Sequence, residues 1–339
     1  MGLKFNGKDI ASMTFNGKKV KEVWFNGKLV WPTFKLGTWT SYSINVPNTY
    51  AYWFTRYEDG SVMTYGGGVN SSSSVSSMWG KISFTGSSPV GSWVGTSALT
   101  SYTETCAAQY SGPRHYLFGG KPDTSINLNE VNIITEYSAL QNSLVLQATT
   151  TYTAQGAEGA QGNYNDTSYN PNIEVFGGYY NGFLASHVSY QPNSGLLTYR
   201  ASLPVAMNGH QAVANADGSL IYLIGGNTSS GKIATTRTYN PLTYAYTTRS
   251  NMPDASAFGR AILSSDGRKI YYVGGENSKG TTNAMYEYNI AQDKWYIQTM
   301  MPVVRKKHGI YRHSDGSIYI TAGRTSSTSV DTTIYKFTP

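Results

Sequence analysis

The sequence has a single cysteine, Cys106, so neither an internal disulfide nor a Cys-x-x-Cys metal site can form. Charge is scarce as well: 13% of residues are Asp, Glu, Lys or Arg, where about 25% is usual. This is not the shortfall of a disordered chain, because 14% of residues are aromatic and offer apolar surface to bury. No apolar run reaches the roughly 18 residues of a membrane-spanning helix, so no membrane span is expected. No secretory signal peptide is expected either, since Lys4, Lys8, Lys18, Lys19, Lys21 and Lys28 punctuate the first thirty residues. What is abundant is glycine, 36 of 339 residues, and tyrosine, 28. Together with frequent turn dipeptides they predict an all-β protein.

The formal net charge of +7 is unevenly placed. Residues 1–35 hold seven lysines against Asp9 and Glu22, a net +5, and the other 304 residues carry only +2. The larger part therefore lacks the basic surface that phosphate backbones require, and no nucleic-acid partner is expected.

Two periods organise the chain. The first is ten residues long: Phe5-Asn6-Gly7-Lys8, Phe15-Asn16-Gly17-Lys18 and Phe25-Asn26-Gly27-Lys28. Asn-Gly supplies the two positive-φ residues of a type I′ hairpin turn. Residues 1–33 are therefore expected to form a small four-stranded β-meander, with eight-residue strands Lys8–Phe15 and Lys18–Phe25. Alternation fails inside both, because Ile10 and Met13, like Val20 and Val23, differ in parity.

The second period is near fifty residues. Short apolar runs end at Gly66-Gly67, Gly119-Gly120, Gly177-Gly178, Gly225-Gly226 and Gly274-Gly275, with Ala322-Gly323 in sixth place. The second glycines are 53, 58, 48, 49 and 48 residues apart, a spacing of solenoids and propellers. Asp59-Gly60, Asp217-Gly218, Asp266-Gly267 and Asp315-Gly316 mark turns before four of the six. Each unit thus reads as four short strands, A to D, with an aromatic opening D. The fifth is the clearest, with Tyr286, Tyr288, Trp295, Met301-Pro302, Arg305 and His308 after its glycines; the fourth has Tyr246 where the fifth has Trp295. The last unit stops one strand short, and Phe34–Trp39 offers the missing strand.

These residues resemble the kelch-repeat β-propellers. The resemblance spans about residues 34–339 and implies an all-β, six-bladed kelch-like β-propeller, with residues 34–42 closing the last blade. In such a blade the A–B and C–D turns share one face and the longer B–C and D–A loops share the other. Loops such as Tyr179–Ala185, Asn227–Ala234 and Glu276–Asn283 put the variable chemistry on the second face. Candidate ligand-binding residues there are Tyr179, Tyr180, Asn181, Asn227, Asn277 and Lys279, whose aromatic faces and amides suit sugars.

The head is similar to short N-terminal modules of bacteriophage tail and fibre proteins, through Asn16-Gly17-Lys18-Lys19-Val20 and Asn26-Gly27-Lys28-Leu29-Val30-Trp31. That similarity implies a virion location, attachment to other tail or fibre proteins through Phe5, Phe15, Phe25 and Trp31, a host-surface glycan or protein as ligand, and homo-oligomers in the virion.

Kelch-type enzymes include copper radical oxidases and a sialic-acid mutarotase. His115, His187, His210, His308 and His313 show no metal-type spacing, and Glu104, Glu130, Glu136, Glu158, Asp166, Glu174 and Glu276 show no pairing. The expectation is therefore a non-enzymatic adhesin without cofactor, metal or catalytic residues. A carbohydrate-active or copper-radical enzyme and an intracellular kelch interaction module are the alternatives.

Overall fold

The computed structural model describes residues 36–43, 82–90, 172–192, 194–327 and 329–339 with their side chains, and further strands by backbone alone. The described residues contain strands and turns and no helix. The chain divides into two compact units, Met1–Thr38 with Pro339, and Trp39–Thr338.

The first unit contains three separate two-stranded hairpins: Lys4–Phe5 with Lys8–Asp9, Thr14–Phe15 with Lys18–Lys19, and Val23–Phe25 with Lys28–Trp31. Phe5 pairs with Lys8, Phe15 with Lys18 and Phe25 with Lys28, the register that a two-residue hairpin connection requires. The residues that would join these hairpins into the expected four-stranded meander, 10–13 and 20–22, lie outside the described residues. The side chains of Phe5, Phe15, Phe25 and Trp31 lie outside the described residues.

The second unit holds six four-stranded antiparallel sheets. The fourth runs Gln211–Ala214, Ile221–Ile224, Thr236–Asn240, Ala245–Arg249, and the fifth Arg260–Leu263, Lys269–Val273, Met285–Asn289, Lys294–Ile297. The sixth runs Gly309–Arg312, Ile318–Thr321, Ile334–Thr338 and then Thr38–Tyr42 from the other end of the chain. Second strands such as Ile221–Ile224 and Ile318–Thr321 are buried on both faces, which explains their unbroken apolar runs. Fourth strands are largely exposed. First strands lie side by side from the second sheet to the sixth, and the sixth lies beside the first.

The glycine pairs join neighbouring sheets. The N–H groups of Gly178, Gly226 and Gly275 donate to the carbonyls of Met207, Ser256 and Arg305 in the loop entering the next sheet, at 2.8, 2.9 and 2.7 Å. Gly177, Gly225 and Gly274 have φ near 60°, and a Cβ on each would lie 2.4, 2.4 and 2.3 Å from the same carbonyl oxygens. Only glycine permits both the left-handed backbone and this approach.

Aromatic pegs make a second join. Trp295 Nε1 donates to the Ser250 carbonyl at 2.9 Å, and Trp39 Nε1 to that of Thr299 at 2.9 Å. Tyr246, in the equivalent place, reaches the Ala201 carbonyl at 3.3 Å. Trp39 also packs 5.1 Å from the Phe337 ring. The free edges of the first strands are capped across the gap. Gln211 Oε1 accepts the Ala261 N–H, Arg260 Nε donates to the His308 carbonyl, and Arg312 donates to the carbonyls of Leu263 and Ser264.

The Asp-Gly turns close locally. Asp217, Asp266 and Asp315 accept the N–H of Ser219, Arg268 and Ser317. For Asp315 burial favours the acid form, but the Ser317 amide, His313, the Ser317 hydroxyl and Lys336 outweigh it and bring its pKa down to about 2.

Gly225→Ala should lose much more than the roughly 1–2 kcal/mol that an L-residue pays for left-handed backbone. Gly195→Ala should lose only that amount, since its φ is +69° but no atom lies within 4 Å of the added carbon. Equal losses in denaturant melts would remove the clasp from this account.

Candidate functional site

Loops entering the fourth, fifth and sixth sheets return against the residues that follow the glycine pairs. Asn208 bridges Asn227, Ala257 bridges Glu276, and Lys306 bridges Arg324. The B–C and D–A loops therefore meet at these bridges, and the repeat makes their positions comparable. The next residues, Gly209, Phe258 and Lys307, all have left-handed backbone, with φ of 60°, 60° and 52°. Glycine adopts it freely; for phenylalanine it is an outlier of the kind that gathers at functional sites. The three are chained, the Phe258 N–H donating to the Gly209 carbonyl at 2.7 Å and the Lys307 N–H to that of Phe258 at 2.8 Å. The Phe258 ring fills the space over Gly209, where a Cβ would lie 2.4 Å from it. Lys307 Nζ stands 5.0 Å from the ring centroid, a cation–π distance.

Beside these steps Glu276 binds two lysines from neighbouring sheets, Lys232 at 2.9 Å and Lys306. Burial favours its neutral form, but the hydrogen bonds from Lys306 and Lys232 outweigh that and hold its carboxyl below the usual range. All three side chains keep 18–24% of their surface exposed, so the cluster is reachable from solvent.

Beneath the loops lie two histidines at repeat-equivalent positions. His210 packs against Gly177 and Gly226, and His308 against Gly274 and Gly323. Both are buried, and none of their ring nitrogens has a hydrogen-bond partner among the described residues. Burial lowers the His210 pKa to about 3. Burial, then the guanidinium groups of Arg305 and Arg260, hold His308 well below its ordinary value.

The residues proposed from sequence are placed as follows. Tyr179 is partly exposed and sets its ring edge-on to Phe183 at 5.4 Å. Tyr180 and Asn181 belong to the same tight loop, where the Tyr180 N–H donates to the Gly182 carbonyl and Asn181 has φ 53°. Asn227 is held by its backbone bridge to Asn208. Asn277 Oδ1 accepts the Lys279 N–H at 2.9 Å, so those two shape a hairpin tip. Asn227 and Asn277 flank the Glu276 cluster, Asn227 paired with Lys232 and Asn277 next to Glu276 in the chain.

Two arrangements escaped the sequence. One is the Lys232–Glu276–Lys306 cluster, whose members lie on three sheets. The other is a buried chain in which Glu174 Oε2 pairs with His187 Nε2 at 2.8 Å, His187 Nδ1 meets the Tyr246 hydroxyl at 2.9 Å, and Ser189 donates to Glu174 Oε1. Both Glu174 and His187 side chains are fully buried. Tyr246 reaches His187 where Trp295 reaches Thr236 in the next sheet, so the smaller peg is completed by a longer partner.

No family model matches the sequence, and no curated protein matches it. Among solved structures the chain is similar to one described as "Structure of YjhT", with a TM-score of 0.66 and 16% identity, covering 85% of this chain and 94% of that one. The likeness is one of fold, to a β-propeller-like scaffold. It corrects the expectation of a non-enzymatic protein: a scaffold shared with YjhT over this extent leaves catalysis open to the chain.

Stability should fall with acid through His210 and His308. Their folded pKa values lie below that of the unfolded chain, so stability is full above pH 6.5 and declines as pH drops below it. Each histidine contributes about 1.4 kcal/mol per pH unit until its folded value is reached. Melting temperatures between pH 6.5 and 4 should slope less in a His210→Gln/His308→Gln variant. An unchanged slope would mean that the rings are hydrated.

Proposed function

We propose that the six sheets are the blades of a six-bladed kelch-like β-propeller whose long-loop face binds a saccharide and acts on it. The observation that carries this reading is the row of Gly209, Phe258 and Lys307 beside Glu276. It holds an aromatic ring in strained backbone, charged groups within reach of solvent, and neighbouring amides. Aromatic faces stack on sugar C–H surfaces, and amides and ammonium groups bind hydroxyls. A glycan array probed with the full chain, followed by a turnover assay on the glycans retained, tests it. Retention of a defined glycan set, its loss in a folded Phe258→Ala variant, and conversion of at least one member are expected. No retained glycan, or retention indifferent to Phe258, would overturn it.

The three Asn-Gly hairpins favour a second element of the reading: the Met1–Thr38 unit fastens the propeller to other virion tail or fibre proteins, and the ligand is a host-surface glycan. Deleting residues 1–32 should leave the melting temperature of the remainder unchanged and abolish incorporation into particles. Incorporation at full occupancy would refute the attachment role.

A further inference from the structure

The repeat separates what the fold requires from what it leaves free. The backbone bridge recurs three times with the same geometry, but its side chains differ: Asn208 opposite Asn227, Ala257 opposite Glu276, Lys306 opposite Arg324. In the last bridge each residue donates to the other's carbonyl, at 2.9 and 2.8 Å, so Lys306 and Arg324 are directly opposed. Like charges so placed destabilise a strand pair. Lys307 follows, and Lys232 approaches from the fourth sheet. Asp331, on the neighbouring loop, is engaged by the buried Arg305. The carboxylate that meets Lys232 and Lys306 is Glu276.

We infer that Lys232 and Lys306 form an oxyanion seat, filled by Glu276 when no ligand is bound and taken over by an oxyanion group of the ligand. The fit of Glu276 shows that a carboxylate suits the seat. Because Glu276 competes for the same ammonium groups, it tunes affinity and rejects weaker anions. The inference rests on the saccharide reading only for the nature of the rest of the ligand.

Chemical rescue tests it on the full chain. Glu276→Ala should melt lower than the parent, and formate should restore most of the loss while chloride at equal ionic strength does not. Sulfate and phosphate arms distinguish an ester oxyanion from a carboxylate. Lys306→Gln placed on the Glu276→Ala background should abolish the rescue. Should Glu276→Ala not fold, Glu276→Gln keeps the test open: on the glycan array it should raise retention of carboxylated or sulfated members about tenfold, the worth of about 1.4 kcal/mol, and leave neutral ones unchanged. Equal effects of formate and chloride, or an array response blind to ligand charge, would overturn the seat. Retention of neutral glycans alone would remove the seat and leave the saccharide reading standing. Rescue by formate with no glycan retained would do the reverse.

Discussion

From the third sheet to the sixth, the larger unit depends on a backbone passing close to another backbone. At Gly177, Gly225 and Gly274 a loop carbonyl of the next sheet occupies the place of a side chain, and the following glycine N–H binds it. Sheets joined only by interlocking side chains could slide; this contact pins each to its neighbour at one residue. It also sets the loop that carries Asn208, Ala257 and Lys306, since the carbonyl donated to the clasp lies one residue before each of them. The candidate site is thus placed by the same atoms that hold the sheets together.

The other joins are adjustable. Pegs from Trp295, Trp39 and Tyr246 reach the same kind of carbonyl, yet Tyr246 is shorter and recruits His187 and through it Glu174. A buried carboxylate is costly unless its oxygens are bound, and His187 and Ser189 bind both. This cluster has the look of an active site in composition, but its complete burial makes it a structural join. The Glu276 cluster, with similar chemistry and access to solvent, is the better place to look for function.

Much of this was legible in the chain. The glycine pairs, the Asp-Gly turns and the aromatic at Trp39 are local signals, each tied to one backbone conformation or one large buried ring. They marked the unit boundaries and the strand that Thr38–Tyr42 supplies to the last sheet. In the N-terminal unit Asn-Gly reports the turn and says nothing of how far the ladder extends. The site was harder. Asn277 and Lys279 suit a binding role by composition, but whether an amide serves a ligand or its own turn depends on two residues of backbone. Lys232, Glu276 and Lys306 are 44 and 30 residues apart, and only the stacking of sheets reveals that their charges belong together.

The strand Thr38–Tyr42 has a consequence in time. It is synthesised near the start of the chain, and its partner Ile334–Thr338 near the end, with Trp39 bonding across 260 residues to Thr299. At roughly 5–20 residues per second, the early strand waits on the order of 15–60 s for that partner to be made. Throughout that interval its edge and its indole are exposed on the ribosome-bound chain, a hazard for mispairing that the five self-contained sheets do not share. A circular permutation that makes all four strands of the sixth sheet contiguous would shift the burden from synthesis order to sequence alone.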